Sequence, residues 1–311
     1  MVLHRIKKIL LTLFCSLLTF KLQEFLAFIN NRTMYSKKYN EFIESTVKKG
    51  LEFYPVGTYA WDLWRRELQA KFSHNLPIYF LHNKLISSTM VFGNSKYQRE
   101  KISYIESALN KNEIKNILRE SIVGLPAITN FKYLASENSI HQSFHIASYK
   151  KKTNKNILSN KFIVEWGGGY GCLARMAKKI NPTCTYIIMD LPELSALQFV
   201  YLTSIFGKNE VNFFGSESII EEGKINLIPS DYFISLKKEI TADAFISNWA
   251  LTESGKDYQD YILESMFFSA GDILIGCIND DNNYLFGPEL DCFDKKVSID
   301  ILGDGNFYLM K

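Results

Sequence analysis

The chain has 311 residues, of which 47% are hydrophobic and 22% are charged. This composition excludes fibrous and intrinsically disordered proteins and predicts a globular chain with one large core or two smaller ones. The net charge of +3 is unevenly distributed, because residues 1–160 carry 24 Lys and Arg against 11 Asp and Glu, whereas residues 161–311 carry 12 against 22. A basic half fits an anionic surface or a phosphorylated substrate, but it fits ordinary solvated lysine-rich faces equally well.

The N-terminal segment has basic residues ahead of an apolar run that covers residues 9–20. The run is shorter than the ~20 residues that a membrane-spanning helix needs, and no small-residue cleavage site follows it. Two interpretations remain open: residues 1–20 lie on a membrane surface, or they pack on the core of the protein. The five cysteines show neither a disulfide nor a zinc spacing, which predicts a cytoplasmic protein, with the inner face of the membrane as the alternative location.

From residue 36 to residue 118 the apolar residues recur at helical spacing. We predict a helical region over residues 1–130 that acts as a cap over the substrate or lies close to a membrane. The chain then alternates between predicted strands and helices. The strands are Phe162–Trp166, Tyr186–Leu191, Val211–Phe214, Ala244–Asn248 and Ile273–Ile278, and the helices are Cys172–Ile180, Pro192–Phe206 and Gly255–Phe268.

This alternation predicts a parallel sheet covered on both faces. The segment "VSIDILGDGNFYLM" reads as two further strands joined by a glycine-containing turn. The predicted fold class is therefore α/β, with a doubly wound seven-stranded sheet over residues 131–311 that ends in an antiparallel hairpin.

A glycine-rich loop leaves the first predicted strand, in the segment "VEWGGGYG". Glycine there permits positive φ and a close approach of backbone N–H groups to a ligand. The dinucleotide pattern G-x-G-x-x-G is broken, because position 172 is Cys, and the actual pattern is acidic-x-G-x-G-x-G from Glu165 to Gly171. Asp190 ends the next strand, where a carboxylate can accept hydrogen bonds from both hydroxyls of a ribose.

With these motifs the chain resembles the class I S-adenosylmethionine-dependent methyltransferases, which have a Rossmann-like sheet. It resembles most the sugar O-methyltransferases of bacterial surface-polysaccharide clusters, which carry three motifs that match Glu165–Gly171, Asp190–Glu193 and Ser247–Glu253 here. The likeness covers about residues 130 to 311. It implies S-adenosylmethionine as cofactor and a sugar, or a nucleotide- or lipid-linked glycan, as acceptor. The cofactor residues that the likeness and the pattern indicate are Glu165, Gly167, Gly168, Gly169, Tyr170, Gly171, Asp190, Leu191, Asp231, Asn248 and Trp249.

A more distant likeness is to the plant-type small-molecule O-methyltransferases, which have a catalytic histidine after the fourth strand. Thr252 stands at that position here, with Glu253 beside it, so that mechanism cannot be transferred unchanged. Methylation of a phenolic or polyketide hydroxyl, and a non-catalytic module that binds the cofactor, are the alternative functions. We expect no nucleic-acid partner, and homo-oligomer formation is left open.

Proton removal from a sugar hydroxyl requires a base or a metal ion. Glu253 is the first candidate base, and its alternative role is a helix cap. His141 and His145 are spaced i, i+4 on one predicted helix face and are further catalytic candidates. Asp280 and Asp281 follow the fifth strand and are candidate Mg²⁺ ligands, although we favour a polar loop and predict no metal site.

Overall fold

The computed structural model describes residues 22–48, 59–91, 97–214, 219–230, 232, 240–278, 293, 295–298, 301, 303 and 305–311. The N-terminal part of this chain is helical, as predicted. Its elements are α1 (residues 22–31), α2 (Met34–Lys48), α3 (Tyr59–Phe72), α4 (Lys84–Ser87), α5 (Gln98–Ala108) and α6 (Lys111–Leu118). A short antiparallel pair, β1 (Ile128–Asn130) and β2 (Ala135–Ser136), then leads into α7 (Glu137–Thr153).

The second half forms one twisted sheet flanked by helices. Its strands are β3 (Phe162–Trp166), β4 (Thr185–Asp190), β5 (Val211–Phe213), β6 (Ile225–Pro229), β7 (Ala244–Asn248), β8 (Asp272–Ile278), β9 (Lys295–Ser298) and β10 (Asn306–Met310). The helices between them are α8 (Cys172–Ile180), α9 (Pro192–Phe206), α10 (Ala250–Glu253) and α11 (Lys256–Glu264). The spatial order is β5-β6-β4-β3-β7-β8-β10-β9. Strands β3 to β8 pair in parallel, and β10 is antiparallel to both β8 and β9.

The predicted fold class is confirmed, and the sheet has one strand more than the seven expected. The extra strand is β6, whose short sequence "INLIP" has a polar residue inside the apolar run and ends in proline. Asn226 is fully buried in it, and its Oδ1 accepts hydrogen bonds from the side chain of Asn212 and the backbone N–H of Glu221. The predicted helix Gly255–Phe268 also ends earlier, at Glu264, because residues 266–269 adopt positive φ.

Buried ionic contacts join the helical part to the sheet part. Arg175 on α8 and Glu120 after α6 form an ion pair of 3.0 Å in which both side chains are essentially inaccessible to solvent. Arg175 also donates to the backbone carbonyl of Arg119 and to the hydroxyl of Ser139. The hydroxyls of Ser136 and Ser139 donate in turn to Glu120. Because each buried charge has several partners, this network fixes α8 against the segment that precedes α7.

Across the described ranges, none of the helices is both long and apolar enough to cross a membrane. Residues 1–20 lie outside the described residues, so both interpretations of this segment stay predictions.

We predict that Arg175→Met lowers the free energy of unfolding by about 3–5 kcal/mol, because it leaves the buried carboxylate of Glu120 unpaired. Lys256→Met is the control, since it removes an exposed ion pair with Asp260 and we expect no measurable change. Urea unfolding followed by circular dichroism measures both. An Arg175→Met variant as stable as the control would show that the pair is not needed to join the two parts.

Candidate functional site

A cleft of roughly 960 Å³, part of it open to solvent, lies at the carboxyl ends of β3, β4 and β7. This is the edge of a doubly wound sheet where ligands bind. The lining residues from the sheet part are Glu165, Trp166, Gly167, Gly168, Gly169, Tyr170, Cys172, Leu173, Met189, Asp190, Leu191, Leu194, Ser230, Asn248, Trp249, Ala250, Glu253 and Ser254, and those from the helical part and α7 are Trp61, Thr89, Met90, Asn138 and Gln142.

The glycine loop has the backbone that the pattern predicted. Gly167, Gly169 and Gly171 have φ values of 77°, 57° and 95°, in the left-handed region that favours glycine. A Cβ on Gly167 would lie 2.0 Å from the Cβ of Ala250, so the loop and α10 are in direct contact. A Cβ on Gly168 would lie 2.6 Å from Ile188. Larger residues therefore have no room at positions 167 and 168.

Asp190 is buried and connects the end of β4 to the glycine loop. Its Oδ2 accepts hydrogen bonds from the backbone N–H of Gly169 at 3.0 Å and from Gln198 Nε2 at 2.8 Å, and its Oδ1 accepts one from the N–H of Leu191 at 2.8 Å. Burial raises the pKa of Asp190 to about 7, although the donors oppose this shift. Sequence reasoning missed Gln198, which lies eight residues further along α9 and also donates to the carbonyl of Gly169.

Glu165 lies beside Asp190 on the neighbouring strand. Its carboxylate is buried in the cleft wall and accepts a hydrogen bond of 2.9 Å from the hydroxyl of Tyr186. Burial raises its pKa to about 8, and the charge of Asp190 adds to this shift. Among the described residues, neither carboxylate has an ion-pair partner. The site thus holds two adjacent carboxyl groups that lack a protein cation.

Two further predicted residues lie in the same wall. Tyr170 is buried, and its hydroxyl accepts a hydrogen bond of 2.8 Å from Asn138 Nδ2, which ties the glycine loop to α7. Leu191 is buried and lines the cleft directly after Asp190.

The chain leaves β7 through a sharp turn at Trp249, which has a φ of 65°, an uncommon value for a bulky side chain. The indole ring packs on Gly276, where an added Cβ would meet it at 2.9 Å, and its Nε1 donates to Asn306 Oδ1 at 3.0 Å. Asn248, just before the turn, donates from Nδ2 to Gln142 Oε1 at 3.0 Å. Its Oδ1 is buried and has no hydrogen-bond partner among the described residues.

Glu253 is the last residue of α10 and its side chain lines the cleft. The N-caps of α10 and α11 are Trp249 and Gly255, and neither cap uses a side-chain hydrogen bond, so Glu253 does not act as a cap. The described part of the chain offers its carboxylate no hydrogen-bond or ion-pair partner, and desolvation by the surrounding protein raises its pKa above the usual range, although the residue is exposed. Thr252, by contrast, is buried and donates its hydroxyl to the carbonyl of Trp249.

His141 and His145 lie behind the cleft rather than in its wall. Their rings contact each other at 4.4 Å between centroids, and they approach the Trp249 ring to 6.3 and 5.2 Å. His145 is fully buried and contacts the hydroxyl of Tyr308, while His141 Nδ1 lies 3.3 Å from Lys101 Nζ. Burial lowers the pKa of His141 to about 3 and also lowers that of His145, so both imidazoles are neutral. In this position both rings pack against Trp249, and their catalytic role stays a prediction.

The remaining candidates concern metal binding and the adenine contact. Asp231, Asp280 and Asp281 lie outside the described residues. Within the described ranges, no three His, Cys, Asp or Glu residues come together in a way that could hold a metal ion. Sequence reasoning also missed the helical contribution from Trp61, Thr89 and Met90, since these residues precede the glycine loop by about 80 to 110 positions and share no motif with it.

The two buried carboxyls predict a stability that depends on pH. In the folded protein their pKa values are about 8 for Glu165 and about 7 for Asp190, above the ordinary values of 4.5 and 3.8. The folded state therefore binds protons more tightly, and its stability falls as the pH rises through this window. We expect the melting temperature to decrease between about pH 5 and pH 8.

Glu165→Gln removes one of the two titrating groups, keeps an acceptor for Tyr186 and should flatten this slope. Glu100→Gln, at an exposed position on α5, should leave the slope unchanged. Thermal melts at several pH values measure the three proteins. A slope that is the same in Glu165→Gln as in the wild type would show that Glu165 ionises normally.

No protein-family model matches the chain, and no curated protein matches it. Among solved structures, it is similar to PigF with SAH, at 17% identity and a TM-score of 0.33, over 50% of this chain and 51% of PigF. It is also similar to human N-acetylserotonin methyltransferase in complex with SAM, at 15% identity and a TM-score of 0.30, over 70% of this chain and 67% of that one. A third similar structure is that of the mitomycin 7-O-methyltransferase MmcR, at 12% identity and a TM-score of 0.37, over 69% of this chain and 66% of MmcR. The chain thus spans about half of PigF, and similarities at this level say nothing about its activity.

Proposed function

We propose that this protein is an S-adenosylmethionine-dependent O-methyltransferase that acts on a sugar hydroxyl in the biosynthesis of a glycan such as a surface polysaccharide. One observation carries the proposal. A glycine loop with no room for a side chain at positions 167 and 168, two buried carboxyls and the carboxylate of Glu253 all border one cleft at the carboxyl edge of a parallel sheet.

The residues of the cleft fit this cofactor. Asp190 would hold the ribose. Because Gly169, Gln198 and Leu191 already use three of the about four acceptor positions of its carboxylate, at least one of these positions would have to be shared with the ligand. A ribose diol would thus share Asp190 with Gln198. Glu165 would face the positively charged amino-acid part of the cofactor. Its raised pKa supports this assignment, because a nearby cation would stabilise the ionised carboxylate. When bound, S-adenosylmethionine supplies a methyl group on a positively charged sulfur.

Glu253 would act as the base. A sugar hydroxyl is a poor nucleophile at neutral pH, so its proton must be removed as its oxygen forms the new bond to carbon. Glu253 has a free carboxylate in the cleft and a pKa above the usual range, which makes it a stronger base than an ordinary glutamate. The contact between Gly167 and Ala250 supports this role, because it holds α10, and with it Glu253, against the cofactor loop.

The acceptor is proposed to carry several hydroxyls. Asn248 Oδ1 is a buried acceptor without a partner in the described chain, and leaving it so costs free energy that a ligand O–H group would recover. Gln142 and Asn138 add further amides to the same wall, and Trp166 and Trp249 add flat apolar faces. Amides next to indole rings suit a sugar, which has hydroxyls on its edge and C–H groups on its face.

The second candidate is a phenolic or polyketide hydroxyl. Trp61, Met90 and Leu194 make another part of the cleft apolar, and this part would suit an aromatic acceptor if the acceptor, and not the cofactor, bound there. Transfer of an isotopic methyl group into a panel of nucleotide sugars, lipid-linked glycans and phenols would distinguish the two classes. Cofactor binding without transfer to any acceptor would support a non-catalytic module.

We expect the protein to bind S-adenosylmethionine and S-adenosylhomocysteine, and expect Asp190→Ala and Gly169→Val to abolish this binding in isothermal titration calorimetry. Valine at position 169 would strain a φ of 57° and crowd Met90. Gly207→Val is the matched control, because Gly207 also has positive φ, at 94°, but lies in open space away from the cleft. Unchanged affinity in Asp190→Ala would remove the basis of the proposal.

Glu253→Gln should reduce kcat by about 10²–10⁴-fold, the usual contribution of a general base, and leave the affinity for S-adenosylhomocysteine intact. In the wild type, kcat/KM should rise with pH as Glu253 loses its proton, and this limb should disappear in the variant. Glu264→Gln, at an exposed position on α11, is the control. Full turnover in Glu253→Gln would exclude it as the base.

A further inference from the structure

The helical part of the chain provides one wall of the cleft. Trp61 on α3, together with Thr89 and Met90 just after α4, lines it. The Met90 side chain covers the glycine loop, since its Cγ lies 3.5 Å from the place where a Cβ on Gly169 would be. We call these three residues the helical wall. They face the glycine loop and Asp190 across the cleft, although they come from a different part of the sequence.

Internal contacts make the helical wall one packed unit. The Trp64 ring lies 5.4 Å from the Trp61 ring in an edge-on arrangement. Trp64 Nε1 also donates a hydrogen bond of 2.8 Å to the carbonyl of Leu85 on α4. Because Trp61 sits on α3 and Met90 follows α4, this hydrogen bond fixes the two sides of the wall to each other.

A buried ion pair attaches the helical wall to the first turn of α9, which directly follows β4. Glu193 is fully buried, and its two oxygens accept hydrogen bonds from Arg65 Nε at 3.2 and 3.0 Å, while Gln69 Nε2 donates to the same carboxylate. Arg65 lies one helical turn after Trp61, on the same face of α3. Glu193 follows Asp190 by three residues, between Leu191 and Leu194, which both line the cleft. The anchor is therefore at the edge of β4, next to the carboxylate that suits a ribose.

We propose that the helical wall covers the bound cofactor and that Arg65 is the positioning residue that holds it there through Glu193. This inference rests on the proposed function and adds the helical part of the chain to the cofactor site. The ligand that suits the wall is a nucleoside, because Trp61 offers a flat aromatic surface beside Leu191 and Leu194. Apolar cover over the nucleoside would also exclude water and slow its release.

Calorimetry and stopped-flow dissociation of S-adenosylhomocysteine test the anchor. Arg65→Leu should weaken binding by about 10-fold, mainly through faster dissociation. Arg65→Lys should give a smaller loss, since an ammonium cannot reproduce the planar guanidinium contact. Arg66→Leu is the matched control, because Arg66 is the next residue on α3 but is exposed, and it should stay within twofold of the wild type.

Trp61→Ala tests the cover separately, even if Arg65→Leu does not fold, because the hydrogen bonds to Glu193 come from Arg65 and Gln69 and not from Trp61. It should weaken S-adenosylhomocysteine and 5′-methylthioadenosine by the same factor, since both contain the nucleoside. Wild-type affinity for both ligands in a folded Trp61→Ala, or a loss that is limited to S-adenosylhomocysteine, would overturn the inference. Failure of the wild type to bind either nucleoside would instead count against the proposed function.

Discussion

The architecture of the cleft depends on one buried carboxylate. Asp190 ends β4 and accepts hydrogen bonds from the glycine loop that leaves β3, from Leu191 and from Gln198. A loop of left-handed glycines has little conformational preference of its own, so it needs external partners to hold one shape. Asp190 supplies them, and the cost is a desolvated carboxyl whose pKa rises to about 7. The same group that shapes the loop is the one that is proposed to bind the ribose.

A second constraint acts at the end of β7 and places the proposed base. Trp249 has positive φ, and its ring is accommodated only because residue 276 on the adjacent strand is glycine. The turn directs α10 toward the glycine loop until Ala250 contacts Gly167. The neutral imidazoles of His141 and His145 pack behind the same indole ring. Thus the left-handed turn at Trp249, the space that Gly276 leaves for its ring and the two histidines together bring Glu253 to the cleft.

Local patterns predicted most of the fold and the position of the glycine loop and Asp190 in the cleft. The glycine loop, Asp190 and the strand–helix alternation are all encoded within short segments, so their spacing was sufficient. The i, i+4 spacing of His141 and His145 placed them correctly on one helix, but it could not tell that this face packs against Trp249 and Tyr308. Trp61, Met90 and Arg65 were missed because they meet the sheet only through tertiary packing. Strand β6 was missed because a buried, fully hydrogen-bonded asparagine interrupts its apolar pattern.

The two buried carboxyls also explain why a cationic ligand suits this cleft. Glu165 and Asp190 lie on adjacent strands, and burial, to which the charge of Asp190 adds, raises the pKa of Glu165 to about 8. Within the described chain no lysine or arginine pairs with either of them. A ligand with positive charges on an ammonium and a sulfur would stabilise both ionised forms and so lower both pKa values. In the proposed reaction, loss of the methyl group would remove the charge on sulfur, so these carboxylates would attract the product less strongly than the substrate.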